Sequence, residues 1–286
     1  MRLTPRAAAL LGRWQIIDAL PLSGGSVAQS WRVQSASGPI FLKSHEDPPP
    51  RLFEREAAGL TALRATGALA VPQVLAAEDA GVVLEWIDVA DATTTTEATE
   101  AEFGRNLAAL HRHTGSAFGS MDEVFLGYLG SVALDLTPCR TYAESYLERR
   151  VSPLVQRAVN EQDMDPAAMS LVDELLATPQ VCGPPEPPTL VHGDLWSGNR
   201  VIGADGRSWL IDPSAHYGHR ESDLAMMRLF GGFGETCFTA YHDAFPLAPG
   251  WRDRVALYQL VPLLAHVIMF GRAYEPAVMR ALRSLT

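Results

Sequence analysis

Apolar and polar residues alternate in short segments along the first 45 positions, and this period of two predicts β-strands. Three segments are predicted as strands, at residues 15–17, 30–33 and 39–43. A Ser-Gly-Gly-Ser turn at residues 23–26 separates the first two. The pattern is typical of an antiparallel meander.

A helical spacing replaces the strand pattern after a run of three prolines. Glu56 lies on the apolar face of this predicted helix, one turn after Phe53. An unpaired buried carboxylate there would cost on the order of several kcal/mol, so Glu56 is expected to pair with a cation. Lys43, at the end of the third strand, is the favoured partner, and a surface pairing with Arg55 or Arg64 is the alternative.

Two more strand segments, at residues 71–74 and 81–87, complete the predicted sheet. Beyond residue 100 the apolar residues recur at helical intervals. The sequence therefore predicts an α+β protein, with a small antiparallel sheet and one helix followed by a larger, mainly helical part. We expect an N-terminal lobe at residues 1–90, a hinge at about 85–90 and a C-terminal lobe at residues 91–286.

The second part of the chain contains the longest helical patterns. Helices are predicted at residues 142–159 and 169–176, and Asp165 is placed to cap the start of the latter. The most apolar stretch, at residues 255–270, contains polar residues and a proline, which favours a buried core helix over a membrane span.

The chain of 286 residues has a formal net charge of -10, with 33 acidic residues against 23 Lys and Arg residues. Binding to phosphate backbones or anionic membranes needs a basic stripe, which the sequence lacks, so no nucleic-acid and no membrane partner is expected. The three cysteines are far apart and lack the spacing of a disulfide framework or a zinc site. These features favour a cytoplasmic protein with a small partner.

The segment from His192 to Asn199 has the His-x-Asp-Leu-x-x-x-Asn spacing of a kinase catalytic loop. In phosphoryl transfer the aspartate, here Asp194, accepts the proton of the attacking hydroxyl, and the asparagine ligates magnesium. A hairpin with an Asp-Gly turn follows and ends at Asp212, the expected second magnesium ligand. His192 itself is expected to brace the backbone beside Asp212. The spacing predicts ATP and Mg²⁺ as cofactors and a bilobal, protein-kinase-like fold.

Further positions complete the predicted nucleotide site. Lys43 is expected to bind the nucleotide phosphates, with Glu56 orienting its side chain. Backbone amides of the glycine-rich turn could cover the phosphates, and the hinge could offer backbone groups to adenine. The predicted contacts in these two places are Gly24, Gly25, Ser26, Glu85 and Ile87.

The stretches around these residues resemble the fructosamine kinase (ketosamine 3-kinase) family. The resemblance is carried by residues 190–199, 211–213 and 217–226, and it extends over nearly the whole chain. It is narrower than the His-x-Asp pattern shared with aminoglycoside phosphotransferases and choline kinases, because the segments at 196–198 and 218–221 are particular to the fructosamine kinases.

This resemblance implies an enzyme that uses ATP to phosphorylate the 3-hydroxyl of a ketosamine of the fructosamine or ribulosamine type, free or protein-bound. The product phosphate would be unstable and release the amine, which amounts to deglycation and protein repair. Some relatives carry a cysteine in the glycine-rich turn, whereas this chain has Ser26, so a redox switch there has no support.

Two alternatives stay open at this point: another small-molecule kinase, acting on an aminoglycoside, choline or homoserine, and a catalytically silent nucleotide-binding module. A protein kinase is disfavoured, because Pro213 and Ser214 follow Asp212 in place of Phe-Gly and no Ala-Pro-Glu segment is present. The site is therefore expected to take a small acceptor. The residues predicted to line it are Trp196, His216, Tyr217, His219 and Arg220.

Overall fold

The computed structural model describes residues 3–23, 28–90 and 96–286 of the chain. Its first part is a five-stranded sheet in which all neighbouring strands are antiparallel. The strands are β1 (Ile16–Leu22), β2 (Gln29–Ser35), β3 (Gly38–Ser44), β4 (Val74–Glu78) and β5 (Gly81–Glu85). Their order is β1-β2-β3-β5-β4, so the predicted three-stranded meander is confirmed.

Two helices cover opposite faces of the sheet, because successive residues of a strand point to opposite sides. On β5, Val83 belongs to the core that includes Leu10 of α1 (Pro5–Leu10). Its neighbour Val82 belongs to the core that includes Leu60 of α2 (Leu52–Ala65). The predicted helix around Glu56 is therefore confirmed, and it packs between the sheet and the rest of the protein.

The strand predicted at residues 71–74 forms later, because β4 begins at Val74. Pro72 has no N–H to give to a sheet, which delays regular pairing. The preceding residues Leu69 and Val71 are nevertheless buried, so their apolar pattern reflects core packing rather than strand formation.

The second part of the chain is mainly helical, which confirms the α+β prediction. Its helices are α3 (Glu97–Leu110), α4 (Ser152–Asn160), α5 (Ala167–Ala177), α6 (Glu221–Leu229), α7 (Glu235–Ala244), α8 (Val255–Tyr258), α9 (Leu260–Phe270) and α10 (Glu275–Leu285). Three antiparallel strand pairs accompany them, β6 (Leu126–Leu129) with β7 (Val132–Asp135), β8 (Thr189–Val191) with β11 (His216–Gly218), and β9 (Arg200–Ile202) with β10 (Ser208–Leu210). Of these pairs only the β9–β10 hairpin was predicted in full.

The helix predicted at residues 142–159 contains a π-helical segment, Glu144–Val151, which continues into α4. Pro153 has no N–H to donate to the carbonyl four residues earlier, and it stands in the first turn of α4, directly after the π-helical segment. Arg150 projects from the π-helical segment into the interior, where its Nε donates to the carbonyl of Ser145 (2.9 Å).

The apolar stretch at residues 255–270 is largely buried and divides at Gln259 into α8 and α9. Pro262 stands in the first turn of α9, where its missing N–H costs no helical hydrogen bond. Asp165 caps α5 as predicted, since its Oδ1 accepts from the N–H of Ala167 (2.8 Å). Within the three described ranges, no helix has the length and apolar character needed to cross a membrane.

Candidate active site

A cleft of about 580 Å³ lies where the sheet and α2 meet the helical part of the chain. Lys43 enters it from β3 and Glu56 from α2. Asp194 and Asn199 enter from the loop between β8 and β9, and Asp212 follows β10. The structure thus brings together five side chains that span 170 positions of the sequence.

The loop between β8 and β9 fixes the relative positions of Asp194 and Asn199. The Nδ2 of Asn199 donates to the carbonyl oxygen (2.9 Å) and to the Oδ2 (3.1 Å) of Asp194. The amide oxygen of Asn199 is thereby left for another partner, such as a cation. Gly193 has a φ of 80° and backs onto the carbonyl of Ser214, where a Cβ would collide, so this turn of the loop requires glycine.

Lys43 bridges two carboxylates in the cleft. Its Nζ lies 2.9 Å from Oε2 of Glu56 and 3.1 Å from Oδ1 of Asp212. The predicted pairing of Lys43 with Glu56 is confirmed as a contact. Asp212 has a φ of 53°, a left-handed conformation that aspartate tolerates better than most residues and that often marks functional sites.

Burial and like charge set the proton affinities in this group. Burial alone would lower the pKa of Lys43, but the carboxylates of Glu56 and Asp212 outweigh it and raise that pKa above its ordinary value. Burial raises the pKa of Glu56, and the Lys43 ammonium opposes this effect. Burial and the charge of Asp212 raise the pKa of Asp194 to about 7. The cleft therefore holds more negative charge than one ammonium can balance.

A divalent cation bound in the cleft would neutralise this excess negative charge. The available ligand atoms are the carboxylate oxygens of Asp212 and the free amide oxygen of Asn199, with Asp194 beside them. Oxygen-only ligands suit a hard cation such as Mg²⁺, which keeps several waters and binds few protein groups.

His192 braces the backbone as predicted. One ring nitrogen, Nε2, donates to the carbonyl of Ile211 (3.0 Å), next to Asp212. The other, Nδ1, accepts from the N–H of Asp194 (3.3 Å). Burial lowers the pKa of His192, in keeping with a neutral ring that has one donor and one acceptor.

Of the residues predicted to line the acceptor pocket, only Trp196 does so, with 38% of its surface exposed. The other four lie elsewhere: His216, His219 and Arg220 are buried, and Tyr217 pairs with Leu190 of β8. The expectation that these four contact substrate is therefore not supported by their positions.

The four residues have structural partners instead. Arg150 donates to Nε2 of His216 (2.8 Å), and burial together with the Arg150 charge lowers the pKa of this histidine to about 4. Arg220 forms a bidentate ion pair with Glu186 (2.6 and 2.8 Å). His219 stacks on Tyr258 at a centroid distance of 5.2 Å. Polar residue types at adjacent positions can thus form core contacts rather than a binding site.

The predicted adenine and phosphate contacts lie outside this cleft or outside the described ranges. Neither Glu85 nor Ile87 lines the cleft. The carboxylate of Glu85 accepts from the N–H of Gln73 (2.9 Å) and lies 3.3 Å from Arg64. The predicted contacts at Gly24, Gly25 and Ser26 fall on residues that the structure does not describe.

Comparison with known proteins identifies the family. The fructosamine kinase family model matches residues 6–286. The chain belongs to the fructosamine kinase family. It is 33% identical to a "Probable ketoamine kinase" of Lactiplantibacillus plantarum over 99% of both chains. It is 29% identical to the ketosamine-3-kinase of Mus musculus, over 92% of this chain and 93% of the mouse protein.

Solved structures agree with this assignment. The crystal structure of a candidate fructosamine-3-kinase from Thermobifida fusca superimposes with a TM-score of 0.90, at 36% identity over 99% of both chains. The aminoglycoside phosphotransferase APH(4)-Ia superimposes with a TM-score of 0.67 at 16% identity, over 98% of this chain and 99% of that one. This second likeness shows the fold alone, and it confirms the predicted protein-kinase-like architecture.

Asp223 is a residue of this fructosamine kinase site that sequence analysis missed. Its carboxylate accepts from the backbone N–H groups of His192 (2.7 Å) and Gly193 (2.8 Å), and from Nε2 of His111 (3.1 Å). Nδ1 of His111 in turn contacts the hydroxyl of Tyr241 (2.8 Å). Burial alone would raise the pKa of Asp223, but these donors lower it. Asp223 lies within the segment at residues 217–226 that resembles the family, but only the fold shows which amides it binds.

We expect Asp223→Asn to lower kcat by about tenfold or more while the KM for ATP changes little, because the catalytic loop loses its charged anchor. In the variant, the side-chain NH₂ group replaces one carboxylate oxygen, so one backbone N–H of the loop faces a donor and loses its hydrogen bond. This costs about 1–3 kcal/mol of stability. Steady-state kinetics and thermal melting measure the two effects. Asp243→Asn, an exposed change on α7, is the control. Equal kinetics for both variants would contradict the anchoring role.

Proposed function

We propose that this chain is an ATP- and Mg²⁺-dependent kinase that phosphorylates the 3-hydroxyl of ketosamines. The observation that carries the proposal is the convergence of Asp194, Asn199, Asp212 and the Lys43–Glu56 pair on one cleft beside Trp196. Membership of the fructosamine kinase family supports the choice of acceptor.

The proposed nucleotide site uses the ion pair at the centre of the cleft. Lys43, held by Glu56, would bind the ATP phosphates as a fixed positive charge. Asp212 and Asn199 would hold Mg²⁺, which supplies positive charge that offsets the negative charge of the transferring phosphoryl group. We further propose that backbone groups of Glu85 and Ile87 contact adenine and that the turn at residues 24–26 covers the phosphates.

The proposed reaction transfers the γ-phosphoryl group to a sugar hydroxyl. The hydroxyl oxygen forms the new bond to phosphorus as the bond to the β-phosphate oxygen breaks, and ADP leaves. Asp194 accepts the hydroxyl proton. The hydrogen bonds from Asn199 keep the Asp194 carboxylate in place during this step.

The product of the proposed reaction is a ketosamine 3-phosphate. Its breakdown would release the amine, so the biological role would be deglycation of free or protein-bound amines. All three cysteines are free and buried, which supports the proposal of a cytoplasmic, reducing location.

Asp194→Asn should lower turnover by about a hundredfold or more, because a positioned base contributes roughly 10²–10⁴-fold. The same change should stabilise the metal-free protein above pH 7. The folded pKa of Asp194 is about 7 against an ordinary 3.8, so its carboxylate destabilises the fold progressively as pH rises between these values. Melting in a chelator at pH 5 and pH 8 tests this: the gain of the variant over the parent should be larger at pH 8. Turnover within a few-fold of the parent would remove Asp194 from the role of base.

Asn199→Ala and Asp212→Asn should each raise the Mg²⁺ concentration for half-maximal activity by about tenfold. This corresponds to a loss of about 1.4 kcal/mol in the binding free energy of Mg²⁺ when one oxygen ligand is removed or weakened. Asparagine is chosen at position 212 because it also tolerates a positive φ. The control is Asp205→Ala on the turn between β9 and β10, where the carboxylate pairs with Arg207 (2.6 Å). Magnesium titrations of the first two variants that overlay the parent would disprove the metal assignment.

The acceptor class is tested by ATP consumption with ribulosyl-, erythrulosyl- and fructosyl-lysine beside kanamycin, choline and homoserine. We expect turnover of at least one ketosamine and none of the other three. Trp196→Ala should raise the KM for the ketosamine about tenfold, because an indole face packs on the C–H surface of the sugar chain. Efficient use of kanamycin, choline or homoserine with no ketosamine used would refute the proposal.

A further inference from the structure

A continuous series of aromatic rings, which begins with Trp196, lines part of the cleft. Phe230 packs edge-on against Trp196 at a centroid distance of 6.2 Å, and His266 lies 5.2 Å from Phe230. Tyr274 lies 4.9 Å from His266, and Phe270 lies 5.6 Å from His266 and 6.1 Å from Tyr274. We call these five rings the aromatic wall.

The aromatic wall is assembled from four places in the helical part, the first of which is the loop between β8 and β9 that carries Trp196. Phe230 directly follows α6, while His266 and Phe270 are four residues apart on one face of α9. Gly271, with a φ of 80°, ends α9 and redirects the chain so that Tyr274 packs back against both rings of that helix. His266 and Phe270 therefore stand on a regular helix, and the other three rings pack against them or against each other from the segments around it.

The rings of the wall keep much of their surface open to solvent. Phe230 is 46% exposed and Phe270 is 48% exposed, close to the 38% of Trp196. Scattered exposed apolar residues are ordinary, but a contiguous apolar patch beside polar groups usually marks a binding surface. This patch lies within the cleft that contains Asp194, so a ligand bound there can also reach the catalytic residues.

The acidic side chains and the Lys and Arg side chains that line the cleft all lie outside the aromatic wall. The charged residues that line it are Lys43, Arg55, Glu56, Asp194 and Asp212. None of them belongs to the aromatic wall, whose other lining neighbours include the thioethers of Met226 and Met269. Next to the wall, Arg272 is paired with Glu275 at 2.9 Å. Among the described residues that line the cleft, the aromatic wall therefore offers no lysine or arginine to a carboxylate.

We propose that the aromatic wall binds the substituent on the amine of the ketosamine and selects apolar and aromatic amines over those that carry a carboxylate. This inference rests on the proposed function, which places the reacting hydroxyl at Asp194 and the sugar against Trp196. In a ketosamine the amine is on C1 and the reacting hydroxyl on C3, so the nitrogen lies only two carbons from the reacting centre. A substituent on that nitrogen extends from Trp196 onto the neighbouring rings. Ring surfaces favour apolar and aromatic groups, and a carboxylate would lose water there without gaining an ion pair with a lysine or arginine.

The test compares three ketosamines that differ in the amine, which is methylamine, benzylamine or glycine. All three carry the same sugar, the one of ribulose, erythrulose and fructose that is turned over best in the acceptor assay. We expect the KM of the benzylamine compound to be about tenfold below that of the methylamine compound, and the KM of the glycine compound to be the highest. Values of kcat should agree within a few-fold, because the reacting hydroxyl is the same in all three.

Two variants assign the difference to the wall. Phe270→Ala and Phe230→Ala should each raise the KM of the benzylamine compound severalfold and leave that of the methylamine compound nearly unchanged. Phe125→Ala removes a ring that is equally exposed, at 47%, but does not line the cleft, and it should change neither KM. Thermal melting of each variant checks that it is folded. If one of the two wall variants is unstable, the other still tests the role of the wall.

The outcomes separate this inference from the proposed function. If no ketosamine of any sugar is phosphorylated in the acceptor assay, the proposed function fails and the inference falls with it. If the three ketosamines are phosphorylated with equal KM values, or if the wall variants raise all three KM values by the same factor, the proposed function stands and the role of the wall is overturned. A lower KM for the glycine compound than for the methylamine compound would also overturn it.

Discussion

The position of one ammonium group between two carboxylates is the constraint on which the site depends. Lys43 belongs to the sheet, Glu56 to α2 and Asp212 to the hairpin of the helical part, so the contacts at 2.9 and 3.1 Å join three separate elements. Buried charges of this kind are tolerated only in good mutual geometry. The arrangement still leaves an excess of negative charge, seen in the raised pKa of Asp194, and this excess is what makes the cleft suited to a cation.

A second set of polar contacts holds the loops that carry these groups. Asp223 binds the two amides of His192 and Gly193, and the ring of His192 links Asp194 to the carbonyl of Ile211. Behind them, Arg150 and His216 form a buried contact. The backbone amides of His192 and Gly193 and the guanidinium of Arg150 thereby find acceptors, which is the condition for burying polar groups at modest cost. The catalytic loop is therefore fixed from the side opposite the cleft.

Much of the fold and the reacting centre could be predicted from the sequence, because those features depend on local patterns. The alternation in the first 45 residues predicted the antiparallel strands, and an Asp-Gly turn predicted the hairpin that ends at Asp212. Glu56 on an apolar helix face required a cation, and Lys43 is in contact with it. The start of β4 was misplaced, because Leu69 and Val71 are apolar for core packing and Pro72 cannot pair in a sheet.

The sequence by itself thus determined the fold class, the family and a set of residues that meet in the cleft, since local periodicity and spacing within a loop or hairpin indicate them. Only the tertiary structure decided which polar residues face the cleft. His216, His219 and Arg220 resemble a binding cluster in sequence, yet β11 pairs with β8 and they are buried. Conversely, Phe230 and Phe270 are 40 positions apart, and no local pattern indicates that they share a wall with Trp196. The physical reason is that burial and contact between distant segments depend on how helices and strands pack, which local periodicity does not specify.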